Sequence, residues 1–477
     1  MKPDGVEGYG VSCDHRAGAR LDPDATGTAR TGVRHPDPAG GDPAGGDSAG
    51  GDSAGGDPVG GDPGASPPDN LPRTLVVLFA LACGSAVANV YFAQPLLVTM
   101  GRDLAMSPAL VGAVVTLTQV GYGVGLLLLV PLGDVVARRR LVVTQLLLLV
   151  VALVAVATAR TAPVLLAGMA ATGLLAVVAQ TLVAFAASLA GPARRGGVVG
   201  MVTSGIVVGI LLARTASGLL ADLVGWRSVY LASALVTVLL ALLLHRTLPR
   251  PAHAPTRLRY GQLVRSTLTL FATAPLLRLR ALLGLLIFAA FSALWSSVAL
   301  PLSEPPYTLS HTAIGAFGLV GAVGALAATA AGRLNDRGLS RWTSGIGLAL
   351  LTASWLPLAF TRDSLWALAV GVVVLDLAVQ AVHVTNQTLV HELRPDAGSR
   401  LIAGYMLFYS IGSATGALAA TSLYAVAGWG AVCVLGAGIS GAALLLWAAA
   451  TARTSRATAD TAANPTPART RDGRKAR

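Results

Sequence analysis

Four polar side chains fall on one narrow face of an otherwise apolar stretch: Asp376, Gln380, His383 and Gln387, within residues 364–390. At about 100° per residue they share a sector about 60° wide, and the other faces carry mostly Val, Leu and Ala. A carboxylate, an imidazole and two amides in such a stripe can move a proton and hydrogen-bond a polar solute. Ionisable groups deep in hydrocarbon cost roughly 2.5–3.5 kcal/mol each, so each one marks a candidate site. Three lie well inside apolar runs: Asp376, Arg214 and His383. Asp376 is expected to carry a coupled proton. An ordinary Asp, with pKa about 3.9, holds no proton at neutral pH. Coupling therefore needs surroundings that alternate between pairing with Arg214 and desolvation. His383 is the rival carrier, because an imidazole with pKa about 6.5 needs little help. A permanent Asp376–Arg214 bridge is the alternative in which nothing titrates.

Contacts to a solute are expected from Gln380 and Gln387 and from four further amides in apolar runs: Asn89, Gln94, Gln119 and Gln180. Phe288, Phe291 and Trp295 would form an aromatic wall. Tyr405 and Tyr409, on one face with Gly412 and Gly416, would serve as both ring and hydroxyl. A single amide is as apt to bridge two helices as to touch a solute.

The elements that must position these groups are membrane spans. The chain is 54% hydrophobic and only 12% charged, against about 25% charged in a soluble domain. From Thr74 to about Ala450 it resolves into twelve apolar runs of about 20 to 25 residues, each able to cross a core about 30 Å thick. The runs read 74–99, 108–132, 141–159, 163–189, 198–221, 228–247, 281–302, 312–332, 343–360, 364–390, 401–424 and 430–451. The fold class is therefore an all-α membrane protein. Its expected parts are a Gly/Asp/Pro-rich tail (1–72), a six-helix half (73–248), a linker (249–280), a second half (281–452) and a basic tail (453–477).

Those halves are written twice. Leu132-Gly133-Asp134 followed by Arg138-Arg139-Arg140 returns as Gly332-Arg333-Leu334-Asn335-Asp336-Arg337-Gly338, an offset of 202 (336 − 134). Gly225-Trp226 returns as Gly428-Trp429, an offset of 203 (429 − 226). Duplication in a hydrophobic chain points to secondary transport, with the solute held between the repeats.

The net charge of +12 does not imply nucleic acid. The arginines cluster in short loops, and no basic face with interleaved aromatics is present. Arg138 to Arg140, Arg194, Arg195, Arg333, Arg337 and Arg341 fall on one side. Arg102, Arg160, Arg227 and Arg362 fall on the other, which predicts that both termini are cytoplasmic. No cleavable signal precedes the first apolar run, which is expected to serve as the insertion signal. Cys13, Cys83 and Cys433 have no metal-ligand or disulfide spacing. No phosphate-binding Gly-x-x-x-x-Gly-Lys-[Ser/Thr] is present, and no nucleophile–base pair stands out. Neither an enzyme nor a cofactor is expected; the partners are a small solute, protons and the lipid bilayer, with the monomer as the default.

The two loops, set after the second and eighth of twelve spans, resemble those of the major facilitator superfamily, whose pattern is Gly-x-Leu-Ala-Asp-Arg-x-Gly-Arg-Arg. The second copy keeps Gly332, Leu334, Asp336 and Arg337. The first keeps Leu132, Asp134, Arg138 and Arg139 but has Val130, Val135 and Ala137 at three pattern positions. The resemblance covers about residues 74–452. It implies a fold of two six-helix halves, with these loops acting as the cytoplasmic gate. Ala88-Asn89-Val90-Tyr91-Phe92-Ala93-Gln94-Pro95 is similar to the efflux branch that exports nucleosides, sugars and drugs. The antiporter signature of span five is absent: Gly205 and Gly209 are followed by Ile210-Leu211-Leu212-Ala213-Arg214. The expected function is proton-coupled export of small organic solutes across the plasma membrane. Import or facilitated diffusion of a sugar or nucleoside is the alternative, and a non-transporting membrane sensor a more distant one.

Overall fold

The computed structural model describes residues 72–133, 135–191, 194–249, 260–261, 265, 269, 274–321, 323–393 and 398–463. Throughout these residues the regular structure is helical, as it must be where apolar chain has no water to satisfy its peptide groups. The first group of helices comprises α1 (Arg73–Tyr91), α2 (Leu97–Asp103), α3 (Pro108–Leu132), α4 (Arg138–Ala157), α5 (Ala162–Ala176), α6 (Val178–Leu189), α7 (Arg195–Val224) and α8 (Trp226–Thr247). The second comprises α9 (Pro275–Ser297), α10 (Ala299–Ser303), α11 (His311–Val320), α12 (Val323–Asp336), α13 (Ser340–Ala353), α14 (Trp355–Ala359), α15 (Leu365–Leu393) and α16 (Gly398–Ala463).

Among the described residues ten helical stretches are long and apolar enough to cross a membrane, against the twelve runs read from the sequence. Two differences account for the count. The eighth run is described as α11 and α12 on either side of residue 322, which lies outside the described residues, and neither is long enough to span alone. The last two runs lie in the single stretch Leu401–Arg453. Gly428, with φ 72° and ψ −169°, parts α16 into two helices within that stretch. The boundary of α9 also differs from expectation: it begins at Pro275, with proline in the first turn, where a missing N–H costs nothing. Arg278 and Arg280 therefore belong to the helix and not to the linker.

The sequence repeat has a structural counterpart. Gly225 (φ 98°) and Gly428 (φ 72°) both adopt the left-handed backbone that favours glycine. Each is followed by a tryptophan whose indole pins the turn. Trp226 Nε1 donates to Asp103 Oδ2 (3.1 Å), and Trp429 Nε1 donates to the Leu358 carbonyl (2.7 Å). A second correspondence lies in the close helix pairs. Gly205 and Gly209 of α7 sit against the backbone at Ala80 and Gly84 of α1, with no room for a Cβ. Gly412 and Gly416 of α16 sit in the same way against Leu285 and Ala289 of α9. Small residues permit such backbone contact in membrane bundles.

The two groups meet along α3 with α16 and along α7 with α11. Thr116 Oγ1 donates to the Ala414 carbonyl (3.2 Å), and Thr215 Oγ1 donates to the Gly315 carbonyl (2.9 Å). Asp222, near the end of α7, accepts from the His311 and Thr312 backbone N–H groups (3.2 and 2.7 Å) and from the Thr312 hydroxyl (2.7 Å). The His311 ring bonds Asp222 through Nδ1 and Thr99 through Nε2, each at 2.5 Å. A carboxylate at the start of α11 is favourable, since the first turn offers free N–H groups and positive dipole charge.

Candidate functional site

Arg214 and Asp376 come from different groups, α7 and α15, and both are buried, at 3% and 6% exposure. They form no ion pair with each other. Arg214 Nε donates to Gln94 Oε1 (2.6 Å), and the guanidinium lies 3.8 Å from the centre of the Trp295 ring. Tyr91 and Phe291 present further ring faces at 5.2 and 5.7 Å. The indole N–H of Trp295 donates to Asp376 Oδ1 (3.2 Å). One indole thus holds the cation on its face and the carboxylate on its edge, as its charge distribution favours. A direct Arg214–Asp376 bridge, the alternative read from sequence, is not formed in this structure, where each residue contacts Trp295 instead. Arg214 Nη2 is buried without an acceptor, beside a small void lined by Gln94, Pro95, Trp295, Val298 and Ile314.

The local sequence explains this placement. Pro95, which lacks an N–H, lies in the short 3-10 turn Gln94–Leu96 between α1 and α2, and that turn aims Gln94 at α7. Gly318 on α11 and Gly321 just after it abut the Arg214 stem and Asp376 Oδ2, so a larger residue would displace either charge.

A second cluster continues along α15. His383 Nδ1 bonds the Tyr405 hydroxyl (2.9 Å), and its ring meets Phe288 edge to face with centroids 4.9 Å apart. The Tyr409 hydroxyl pairs with that of Tyr91 from the other group (2.6 Å), and its ring packs on Phe288 (4.0 Å). Gln387 reaches the Met406 sulfur (3.8 Å), and Gln380 is half-buried on the same stripe. Trp295, Tyr405, Tyr409 and the α15 stripe therefore come together in one polar and aromatic region.

The other expected contacts divide. Gln94 joins the region through Arg214. Gln180 Nε2 donates to the Tyr122 hydroxyl (3.4 Å). Gln119 is buried with Oε1 unmatched, on the α3 face that carries Gly112, Thr116 and Gly123 toward α16. Asn89 does not reach the region. Its amide donates to the Ser85 carbonyl (2.8 Å) and accepts from Ser233 Oγ (2.7 Å), so it joins α1 to α8.

Of the expected gate residues, Asp134 lies outside the described residues. Arg138 donates to the Gly133 and Ala184 carbonyls (3.2 and 3.0 Å), and Arg139 to the His245 carbonyl (2.5 Å). Such carbonyls near helix C-termini lack intrahelical donors and attract cations. Asp336 and Arg337 are exposed. Sequence reading missed Arg280, whose Nη1 donates to Ser344 Oγ (3.3 Å) and Asn386 Oδ1 (3.2 Å). The signal available was an arginine a few residues after Pro275, an ordinary helix-opening position.

Comparison with known proteins agrees with this architecture. The family model of the Major Facilitator Superfamily matches residues 77–337 and 280–476. The chain is 48% identical over 381 residues to the putative uncharacterized transporter YgaY of Escherichia coli K12, covering 80% of this chain and 96% of that one. It is 27% identical over 314 residues to multidrug resistance protein D of the same organism, covering 63% and 76%. Among solved structures, a mutant form of the nucleoside transporter NupG superposes with a TM-score of 0.64 at 12% identity, covering 79% of this chain and 99% of that one. An all-helical chain with duplicated loops, paired glycine contacts and a buried charged site between its two helix groups belongs to the major facilitator superfamily of membrane transporters.

Proposed function

We propose that this protein is a proton-coupled exporter of small organic solutes across the cell membrane, working by alternating access. The observation that carries the reading is the Arg214–Trp295–Asp376 arrangement. Among the described residues Asp376 is the one buried carboxylate, and it shares no ion pair with the buried cation nearest it in the site. Arg214 is held by Gln94 of its own group, whereas Trp295 and Asp376 both belong to the other. Rocking of one group against the other changes the distance from Arg214 to Asp376 and admits or excludes water. Each change alters the free energy of holding a proton on Asp376. A carboxylate whose charge is stabilised in one state and not in the other loads a proton on one side and releases it on the other.

The solute would bind where Gln380, Gln387, Tyr405, Tyr409 and Trp295 converge, with His383 as a hydrogen-bonded wall rather than the carrier. The protein would act as a monomer with six crossings in each half and both termini in the cytoplasm, its loop arginines near 138–140 and 333–341 gating that face. Export is supported by the wording of the first span and by the similarity to multidrug resistance protein D. The driving force suffices: one proton moving down ~100 mV and one pH unit releases about 3.7 kcal/mol, enough for a gradient of several hundredfold. The test is a panel of drugs, nucleosides and sugars added to respiring inside-out vesicles that contain a pH dye. Compound-dependent proton release from the lumen is expected, and solute movement with no proton flux would replace export by facilitated diffusion.

A further inference from the structure

Arg280 stands about one turn inside α9, and its Nη1 bonds only neutral groups, Ser344 Oγ at 3.3 Å and Asn386 Oδ1 at 3.2 Å. No carboxylate among the described residues pairs with it. Its Nε is buried without an acceptor, and Asn386 Nδ2, buried beside the Tyr405 hydroxyl, closes no well-formed hydrogen bond. The amide orientation of Asn386 is fixed by chemistry, since the reverse would set its NH2 against the guanidinium. What remains unmet on these two residues is thus all donors, around one uncompensated positive charge. Buried donors are rarely left unmatched. The group that would satisfy both is an oxyanion, which a guanidinium recognises with short, charge-assisted bonds.

The position connects this pair to the region described above. Gly284, one turn along α9 from Arg280, packs against the Tyr405 ring. The Tyr405 hydroxyl bonds His383, and Phe288 covers that imidazole edge to face. Asn386 neighbours Gln387 of the polar stripe on α15, and the Arg280 side chain is only half-buried. An aromatic lining thus runs from Trp295 to Tyr405 and ends beside a cation.

We propose that Arg280 and Asn386 form an anion-binding subsite at one end of this lining, so that the transported solute is an organic anion. Its carboxylate or phosphate group is held by Arg280, and its apolar body lies against Phe288 and Tyr405. This assignment rests on the export reading for direction only. Moving an anion outward and a proton inward shifts two elementary charges in the same sense, so the membrane potential assists both. Arg280 sits at the opposite end of α9 from Trp295, and an anion there leaves the Arg214–Asp376 pair free to respond to the proton.

The test is direct binding to the purified full-length protein, read by intrinsic tryptophan fluorescence. Benzoate and phenyl phosphate are the probes, and benzamide is the neutral isostere of benzoate. Both anions should bind and benzamide should not. Arg280→Gln should weaken anion binding by roughly tenfold or more, with Arg280→Lys intermediate. Asn386→Ala, which keeps the cation, should weaken it by a smaller factor, and it tests the same subsite should Arg280→Gln fail to fold. Equal binding of benzoate and benzamide, binding of neither anion, or undiminished anion binding in Arg280→Gln would each overturn the proposal. The two readings fail separately. Arg280-dependent binding without proton-coupled flux would remove coupling and keep the subsite, whereas proton-coupled flux of neutral solutes only would do the reverse.

Discussion

Arg214 and Asp376 form no ion pair, yet both contact the Trp295 indole, the guanidinium 3.8 Å from the ring centre and the carboxylate 3.2 Å from the N–H. The consequence is a charged pair that communicates without being locked. A direct bridge between buried partners is expensive to break and would tie the two groups of helices in one state. In the proposed mechanism an indole mediator would keep each charge stabilised while the groups slide.

Trp295 is therefore expected to be more sensitive than an ordinary wall residue. Trp295→Phe keeps a ring for Arg214 but removes the N–H donated to Asp376. A hydrogen bond to a charged group is worth about 1.5–3 kcal/mol, so coupled transport should fall by tenfold or more. Initial rates of solute-driven proton release measure this, and an unchanged rate would show that the N–H is idle.

Asn89 and Tyr409 should separate packing from solute contact. Asn89 is fully buried and bonded within α1 and to α8. Asn89→Ala should cost about 1–3 kcal/mol of stability and leave the KM for transport unchanged. Tyr409→Phe removes a buried hydroxyl paired with Tyr91 across the two groups and should change KM or turnover as well as lower Tm. Thermal unfolding in detergent beside transport kinetics distinguishes the two patterns.

The glycine contacts should be intolerant of a single methyl. At Gly209 an added Cβ would meet the Gly84 backbone, and at Gly416 the Ala289 backbone. Neither backbone can rotate away, so Gly209→Ala and Gly416→Ala should each lose about 1–3 kcal/mol. Gly200, whose Cβ direction is open, provides the control, and the melting temperatures of the three variants should order accordingly.

Asp222 should govern how firmly the two groups close at its end. It collects two backbone N–H groups, one hydroxyl and the His311 ring from α11. Asp222→Ala leaves those donors unmatched, at about 1–3 kcal/mol. Thiol labelling of a cysteine placed at Thr215 should accelerate in that variant. Equal labelling rates would show that the seal is carried by the packing of Gly218 and Gly315 alone.

Much of this was legible from residue pattern. The α15 stripe follows from periodicity, and membrane helices follow from apolar length. The Gly-Trp repeat reads in the sequence only as a mark of duplication; the left-handed turn pinned by an indole at both copies is a finding of the structure. What was not legible depends on contacts distant in sequence. Nothing local distinguishes Asn89, which bridges helices, from Gln94, which holds Arg214, although five residues separate them. The mediator role of Trp295 needs α7, α9 and α15 in their assembled positions. Arg280 follows a proline and an arginine-rich stretch, so it reads as linker, and only its contacts with Ser344 of α13 and Asn386 of α15 reveal its unmet donor. The expected twelve spans count apolar runs. Among the described residues ten stretches are long and apolar enough to span, because the two parts of the eighth run are each short and the last two runs lie in one stretch that turns at Gly428.

The most direct measurement compares wild type and Asp376→Asn in proteoliposomes, using a compound found in the vesicle panel. Two modes are followed: accumulation driven by an imposed pH gradient, and energy-independent exchange of labelled for unlabelled solute. If Asp376 carries the coupled proton, the variant should lose gradient-driven accumulation and keep exchange, since the binding region along α15 and α16 stays intact. Accumulation by Asp376→Asn at the wild-type level would contradict the account.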